Sequence, residues 1–155
     1  MIGIEQATSD DEIRQAREIF REYEAWIGLS LCFQNFEEEL ANLPGKYAPP
    51  DGRLYLAYSD DDLAGCIAMR KLEDGVCEMK RLFVRDRFRG QKIGIALIEK
   101  IIDEARSIGY NKLRLDTYPP KMQKAVELYK SYGFREIAPY YHNPHSETLF
   151  MELEL

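Results

Sequence analysis

The chain has 155 residues, 45% apolar and 31% charged, with a formal net charge of −6. That length fits a single domain able to bury roughly two-thirds of its unfolded surface, and the acidic balance argues against nucleic acid as a partner. No apolar run approaches the roughly 18 residues of a membrane span, and the N-terminal Met-Ile-Gly-Ile-Glu-Gln lacks the basic region and apolar core of a signal peptide, so a cytoplasmic protein with no membrane partner is expected.

In chain order, residues 2–7 read as a short strand. Ser9 followed by Glu12 is a capping box, and Ile13, Ala16, Ile19, Phe20, Tyr23 and Ile27 recur at helical spacing, predicting a helix over 10–26. After a break at 28–32, a short helix over 35–42 carries Phe36 and Leu40 and stops before Pro44-Gly45; residues 46–52 are a surface loop. Residues 53–59 and 63–70 alternate as two strands joined by Asp60-Asp61-Asp62, and Asp74-Gly75 is a hairpin turn leading into a third strand over 76–84. A helix over 90–108 is capped by Gly109. A strand over 112–116, a helix over 121–132 following Pro119-Pro120, and strands over 134–138 and 148–155 complete the chain. The order β-α-α-β-β-β-α-β-α-β-β is an α+β pattern: a mixed sheet of about seven strands with four helices, parallel only where the third long helix crosses over. Cys32, Cys66 and Cys77 are an odd number at wide spacing, so reduced buried thiols are expected.

The densest chemical signal lies between strand and helix. From Lys80 to Lys92 there are six cations (Lys80, Arg81, Arg85, Arg87, Arg89, Lys92) and one anion, Asp86, on a chain that is acidic overall. A strand feeding a helix through a glycine turn aims unpaired N–H groups and the positive end of the helix dipole at one place, which suits phosphate. Neither a Walker A string nor a dinucleotide G-x-G-x-x-G is present. What stands there is R-x-x-K-x-G, Arg89 to Gly94.

This turn resembles the pyrophosphate loop [QR]-x-x-G-x-[GA] of the GNAT superfamily of acyl-CoA-dependent N-acetyltransferases, with Lys92 in place of the inner glycine. A second block, A-V-E-L-Y-K-S-Y-G-F over 125–134, resembles the family signature A-x-x-L-Y-x-x-x-G-F at every fixed position. Met122 stands where the family often has asparagine. The element order also looks like that fold over essentially the whole chain.

The resemblance implies acetyl-CoA as acyl donor, with its phosphates on the turn formed by Arg89, Gly90, Gln91, Lys92, Ile93, Gly94 and Ile95. Its pantetheine would lie along Leu82, Phe83 and Val84, on a strand splayed from its neighbour, with an N–H near Phe83 or Val84 facing the oxyanion. Tyr129 is the implied acid for the leaving thiolate. Glu78 is the implied base, acting through water, with Asp116 as the other candidate. Transfer would be direct, in a ternary complex. The acceptor is expected to be a small-molecule or peptide amine, met by Trp26, Phe33, Asp116, Tyr140, Tyr141 and Asn143, and the assembly a monomer or homodimer.

Plainer readings exist for several of these residues. Glu78 and Lys80 share one strand face and could form a cross-strand ion pair; Glu37-Glu38-Glu39 reads as a solvated helix face. His142 and His145 lack a nearby carboxylate set, so no metal is expected. Two rivals remain at the level of function: a non-catalytic acyl-CoA sensor on the same fold, and a nucleotide-binding module.

Overall fold

The computed structural model describes residues 1–31 and 35–155. The elements are β1 (Ile2–Gln6), α1 (Asp10–Ile27), α2 (Phe36–Ala41), β2 (Arg53–Ser59), β3 (Asp62–Glu73), β4 (Val76–Val84), α3 (Ile93–Ile108), β5 (Lys112–Thr117), α4 (Pro119–Ser131), β6 (Arg135–Ile137) and β7 (Leu149–Glu154). The seven strands form one sheet in the order β1-β2-β3-β4-β5-β7-β6. Every described pairing is antiparallel except β4 with β5, the pair bridged by α3.

The alternation read from the strands sorts their side chains onto two cores. Tyr55, Ala57, Ile67, Met69, Cys77, Met79 and Leu82 pack with α3, through Ile93, Leu97, Ile98 and Ile101, and with Tyr129 of α4. Leu54, Leu56, Cys66, Ala68 and Phe83 pack on the other side with Ala16, Ile19 and Phe20 of α1 and Phe36 and Leu40 of α2. Each fully buried Leu or Ile contributes on the order of 2 kcal/mol, so both helical layers are held chiefly by these seams. The predicted capping box forms: Glu12 N–H donates to Ser9 Oγ at 3.1 Å and Ser9 N–H to Glu12 Oε1 at 3.0 Å.

Boundaries shift in three places. β3 runs on to Glu73 because β4 pairs with it along that length. Pro119 and Pro120 lie inside the first turn of α4, where the missing N–H costs nothing. α3 begins at Ile93 rather than at residue 90, because Gly90 and Lys92 take positive φ of 86° and 64°.

β4 contains one irregularity that reorganises its side chains. Cys66 faces Phe83 but Ala68 faces Lys80, so Ile67 alone opposes both Arg81 and Leu82. Arg81 takes φ 63° at this bulge. The extra residue puts Lys80 and Arg81 on the same face, toward α2, and returns Leu82 to the α3 core.

Candidate active site

The sheet opens at its centre. β4 and β5 pair only from Val76 with Lys112 to Glu78 with Arg114, although β4 continues to Val84 and β5 to Thr117. Arg85 N–H donates to Ala64 O on the β3 side. By the two-residue alternation of a strand, Phe83 therefore turns its backbone groups toward β3, and Leu82 and Val84 turn theirs into the opening. Arg89 Nε donates to the Val84 carbonyl at 3.1 Å.

Beside the opening lies the glycine turn. Among the described residues, the backbone N–H groups of Gly90, Gln91, Lys92, Ile93, Gly94 and Ile95 meet no backbone carbonyl, and Lys92, as N-cap, makes no side-chain cap. Six donors at a helix N-terminus form an anion cradle. A Cβ on Gly94 would touch only Val84 Cγ2, at 3.9 Å, so the fold itself does not need glycine there. Lys92 holds the left-handed conformation that a glycine adopts without cost.

On the α1–α2 side of the opening, a cavity of about 540 Å³ is lined by Glu38, Glu39, Tyr47, Arg70, Glu78, Lys80 and Tyr141, among others. Glu78 is buried; its Oε1 accepts from Arg70 Nε at 2.8 Å and its Oε2 from the Tyr140 hydroxyl at 2.6 Å. Burial pushes this carboxyl up, but Lys80, Arg70 and the Tyr140 hydrogen bond outweigh it, and the net displacement is downward. Asp116 shares this face, two residues beyond Arg114 on β5, and accepts from the Tyr141 hydroxyl at 2.5 Å. Its charge acts on Lys80 and on the phenols of Tyr23, Tyr129, Tyr140 and Tyr141. Tyr129 is buried against Phe134. Burial raises its phenol well above the ordinary range, with Tyr23 and Asp116 acting in the same direction.

The sequence profile of the Acetyltransferase (GNAT) family matches residues 13–134. The chain belongs to that family. It is 39% identical to an uncharacterised N-acetyltransferase of Schizosaccharomyces pombe, over 99% of this chain and 95% of that protein. The fold matches that of a GNAT acetyltransferase from Staphylococcus aureus Mu50, with TM-score 0.80 and 21% identity over 99% of both chains. It also matches PaiA N-acetyltransferase of Thermoplasma acidophilum, whose crystal structure is a complex with coenzyme A, with TM-score 0.74 and 19% identity over 100% of this chain and 99% of that one.

Within this GNAT domain the residues singled out from sequence divide into groups. Leu82 and Val84 present backbone to the opening, while Phe83 instead lies under Trp26 and Tyr23, with ring centroids 5.7 and 6.1 Å apart. Trp26 is not among the cavity residues; it sits with Phe83 beneath Arg89, whose guanidinium lies 5.1 Å from its ring. Phe33 falls outside the described residues. Tyr140 and Tyr141 reach the two carboxylates, and Asn143 Nδ2 donates to the Tyr141 hydroxyl at 3.0 Å. Gln91 meets Ser59 through its side chain, at 3.2 Å.

The run of six cations does not act as one patch. Lys80 and Arg81 are buried on the α2 side, where Arg81 makes a two-pronged contact with Glu39 at 2.9 and 3.0 Å. Glu39 is therefore not part of a solvated face; of its run, Glu37 pairs with Arg21 and only Glu38 and Glu37 are exposed. Arg85 is taken by Glu22, Arg87 by Asp62 and Arg89 by Asp86, all at partly or fully exposed positions where such pairs are weak and readily exchanged.

One residue of this site was not singled out from sequence, and another was given a lesser part. Arg70 pairs with Glu78 across the strands, and Lys80 counted only as part of the basic run or as the partner of Glu78. Its position two residues after an inward Glu78 was the available signal. Among the described residues no group of His, Cys, Asp and Glu is arranged to hold a metal.

Proposed function

We propose that this chain moves an acetyl group from acetyl-CoA to an amine by direct transfer in a ternary complex. One observation carries the reading: the gap between β4 and β5 opens beside six acceptor-free N–H groups at Gly90–Ile95. An open strand edge and an anion cradle, side by side, fit a molecule with a string of amides at one end and phosphates at the other.

The donor, when bound, supplies an activated acyl carbon and a thiolate leaving group. The chain's own residues do the rest. The Gly90–Ile95 amides hold the diphosphate, and Lys92 and Arg87 lie nearby for outer phosphates. Leu82 and Val84 pair with the pantetheine amides, and the Val84 N–H serves the carbonyl oxygen as its charge develops. Arg89 leaves the Val84 carbonyl to make that pairing possible. Tyr129, kept protonated by its burial, holds a proton for the departing sulfur.

The amine must lose a proton before it can attack. Glu78, the carboxylate first expected in that role, has both oxygens engaged and its affinity for protons reduced. Asp116 has one described partner, Tyr141, which leaves its other carboxylate oxygen uncommitted among the described residues. We assign the proton acceptor to Asp116, directly or through water, and to Glu78 the task of holding Arg70 and Tyr140 in place.

Calorimetry with acetyl-CoA and a thiol-release assay across polyamines, amino acids, aminoglycosides and short peptides test this reading. Binding without turnover on any amine would favour a sensor; ATP binding at least as tightly as acetyl-CoA would favour a nucleotide module. Tyr129→Phe should lower kcat by about 10²-fold or more while leaving acetyl-CoA affinity intact. Asp116→Asn should lower kcat by about 10²-fold or more while leaving acetyl-CoA affinity intact, and Glu78→Gln should lower it less.

A further inference from the structure

The cavity beside Glu78 contains a cation whose hydrogen-bonding needs the protein does not meet. Lys80 has 7% of its side chain exposed, and its nearest anionic oxygen, Glu78 Oε1, is 3.8 Å away. That distance is too long for a hydrogen bond, and the same oxygen already accepts from Arg70 at 2.8 Å. Among the described residues Lys80 Nζ makes no hydrogen bond to the protein; its three donors open onto the cavity that Lys80 lines. Of the other anions nearby, Glu39 gives both oxygens to Arg81, and Asp116, which accepts from Tyr141, acts on Lys80 through its charge without a hydrogen bond to it among the described residues. Two cations, Arg70 and Lys80, thus share the one carboxylate of Glu78, and the Lys80 ammonium lines the cavity with no oxygen within hydrogen-bond distance among the described residues.

We propose that the acceptor amine also carries an oxyanion, a carboxylate or a phosphate, which Lys80 binds on the floor of this cavity beside Arg70. The proposal rests on the acetyl-transfer reading and names the substrate class of that same site. Burying an ammonium without a close partner is costly. A ligand oxyanion completes it, while an uncharged or purely cationic acceptor leaves it unmatched. Arg70 contributes its remaining guanidinium nitrogens, since only Nε is engaged with Glu78. The burial that lowers the affinity of Lys80 for its proton is countered once an anion docks against it, so the ligand also secures the charge that binds it.

The test compares acceptors matched in all but charge: glycine and aspartate against glycinamide, glycine methyl ester and methylamine, with O-phosphoethanolamine against ethanolamine to separate phosphate from carboxylate. Thiol release from acetyl-CoA gives kcat/KM for each. The oxyanion-bearing member of a pair should be preferred on the order of 10- to 100-fold, and Lys80→Met should abolish that preference mainly through KM. A binding arm needs no turnover: N-acetylglycine, N-acetylaspartate and inorganic phosphate are titrated by calorimetry into the coenzyme A-loaded protein, with N-acetylglycinamide as the neutral control. Binding of an oxyanion that Lys80→Met removes supports the proposal even if no acceptor in the panel turns over. Equal rates for charged and uncharged partners, or an unchanged preference in Lys80→Met, overturn it while acetyl transfer stands. Absence of both oxyanion binding and turnover overturns it as well. Failure of acetyl-CoA itself to bind identifies the transfer reading as the part at fault.

Discussion

Lys92 illustrates how one side chain can be pulled two ways. It occupies the place where the family motif has glycine, and it takes φ 64° to do so. A left-handed conformation costs an ordinary residue roughly 1–2 kcal/mol, yet the lysine brings a cation to the mouth of the anion cradle. Lys92→Gly should therefore stabilise the fold by about 1 kcal/mol, raising Tm by roughly 2–4 °C for a domain of this size. The same change should weaken acetyl-CoA binding by a few-fold. Thermal denaturation and calorimetry on the one variant check both signs; a fall in Tm would mean that the Lys92 side chain is stabilising the turn.

The motif residues were legible at this scale because each answers a local need. Gly90 takes positive φ, and Gly94 is the second glycine of the motif, at the first turn of α3. The pairing of Glu78 with Arg70 was not legible, since it depends on the register between β3 and β4, set by a hairpin and two irregularities. Glu39 was misread for a related reason: its run looks like a hydrated helix face until Arg81 arrives from β4 to meet it.

Among the elements, the junction of β4 and α3 carries the function. β4 delivers backbone to the opening and charge to the cavity from one strand, and the bulge at Arg81 makes both possible. Without the extra residue, Arg81 would point into the apolar α3 core, where its charge would be unpaired. At the start of α3, a Cβ on Gly94 would make only an ordinary contact with Val84 Cγ2, at 3.9 Å. Gly94→Val should fold with little change in Tm but reduce acetyl-CoA affinity at least 10-fold, because its methyl groups fill the room over the N–H donors. Calorimetry alongside a melting curve distinguishes that outcome from simple destabilisation. Helix and strand identities were readable along nearly the whole chain from periodicity, capping and turn residues. The start of α3 was not, because Gly90 to Lys92 look like helix in pattern while two of them adopt positive φ.

For the molecule as a whole, the buried charge network makes stability depend on pH. Glu78 is held below its ordinary pKa of 4.5 in the folded state. A carboxyl lowered by folding contributes stability that is complete above its unfolded pKa and is lost as pH falls through the folded one. Denaturant titrations should therefore show stability falling as the pH drops below about 4.5, and Glu78→Gln should flatten that dependence. The variant should also lose roughly 3 kcal/mol at neutral pH, because Arg70 and Lys80 are left without an anion. A mutant as acid-sensitive as the wild type would show that the dependence arises elsewhere. Acetyl-CoA at 100 times its Kd should add about 2.7 kcal/mol, seen as a Tm rise of roughly 5–11 °C.

What this sequence determined unaided was the order of its elements, the two faces of its sheet, the glycine turn and the tyrosine block, because propensity, alternation and turn chemistry act over a few residues at a time. What waited for the tertiary structure was the division of labour among its charges. Lys80 and Arg81 left the basic run for the interior, Glu39 left the surface, and Tyr140 and Tyr141 came back from a distant loop to meet Glu78 and Asp116. Those outcomes depend on strand register, one bulge and the parting of β4 from β5, and each is settled by contacts between segments far apart in the chain, which local pattern does not encode.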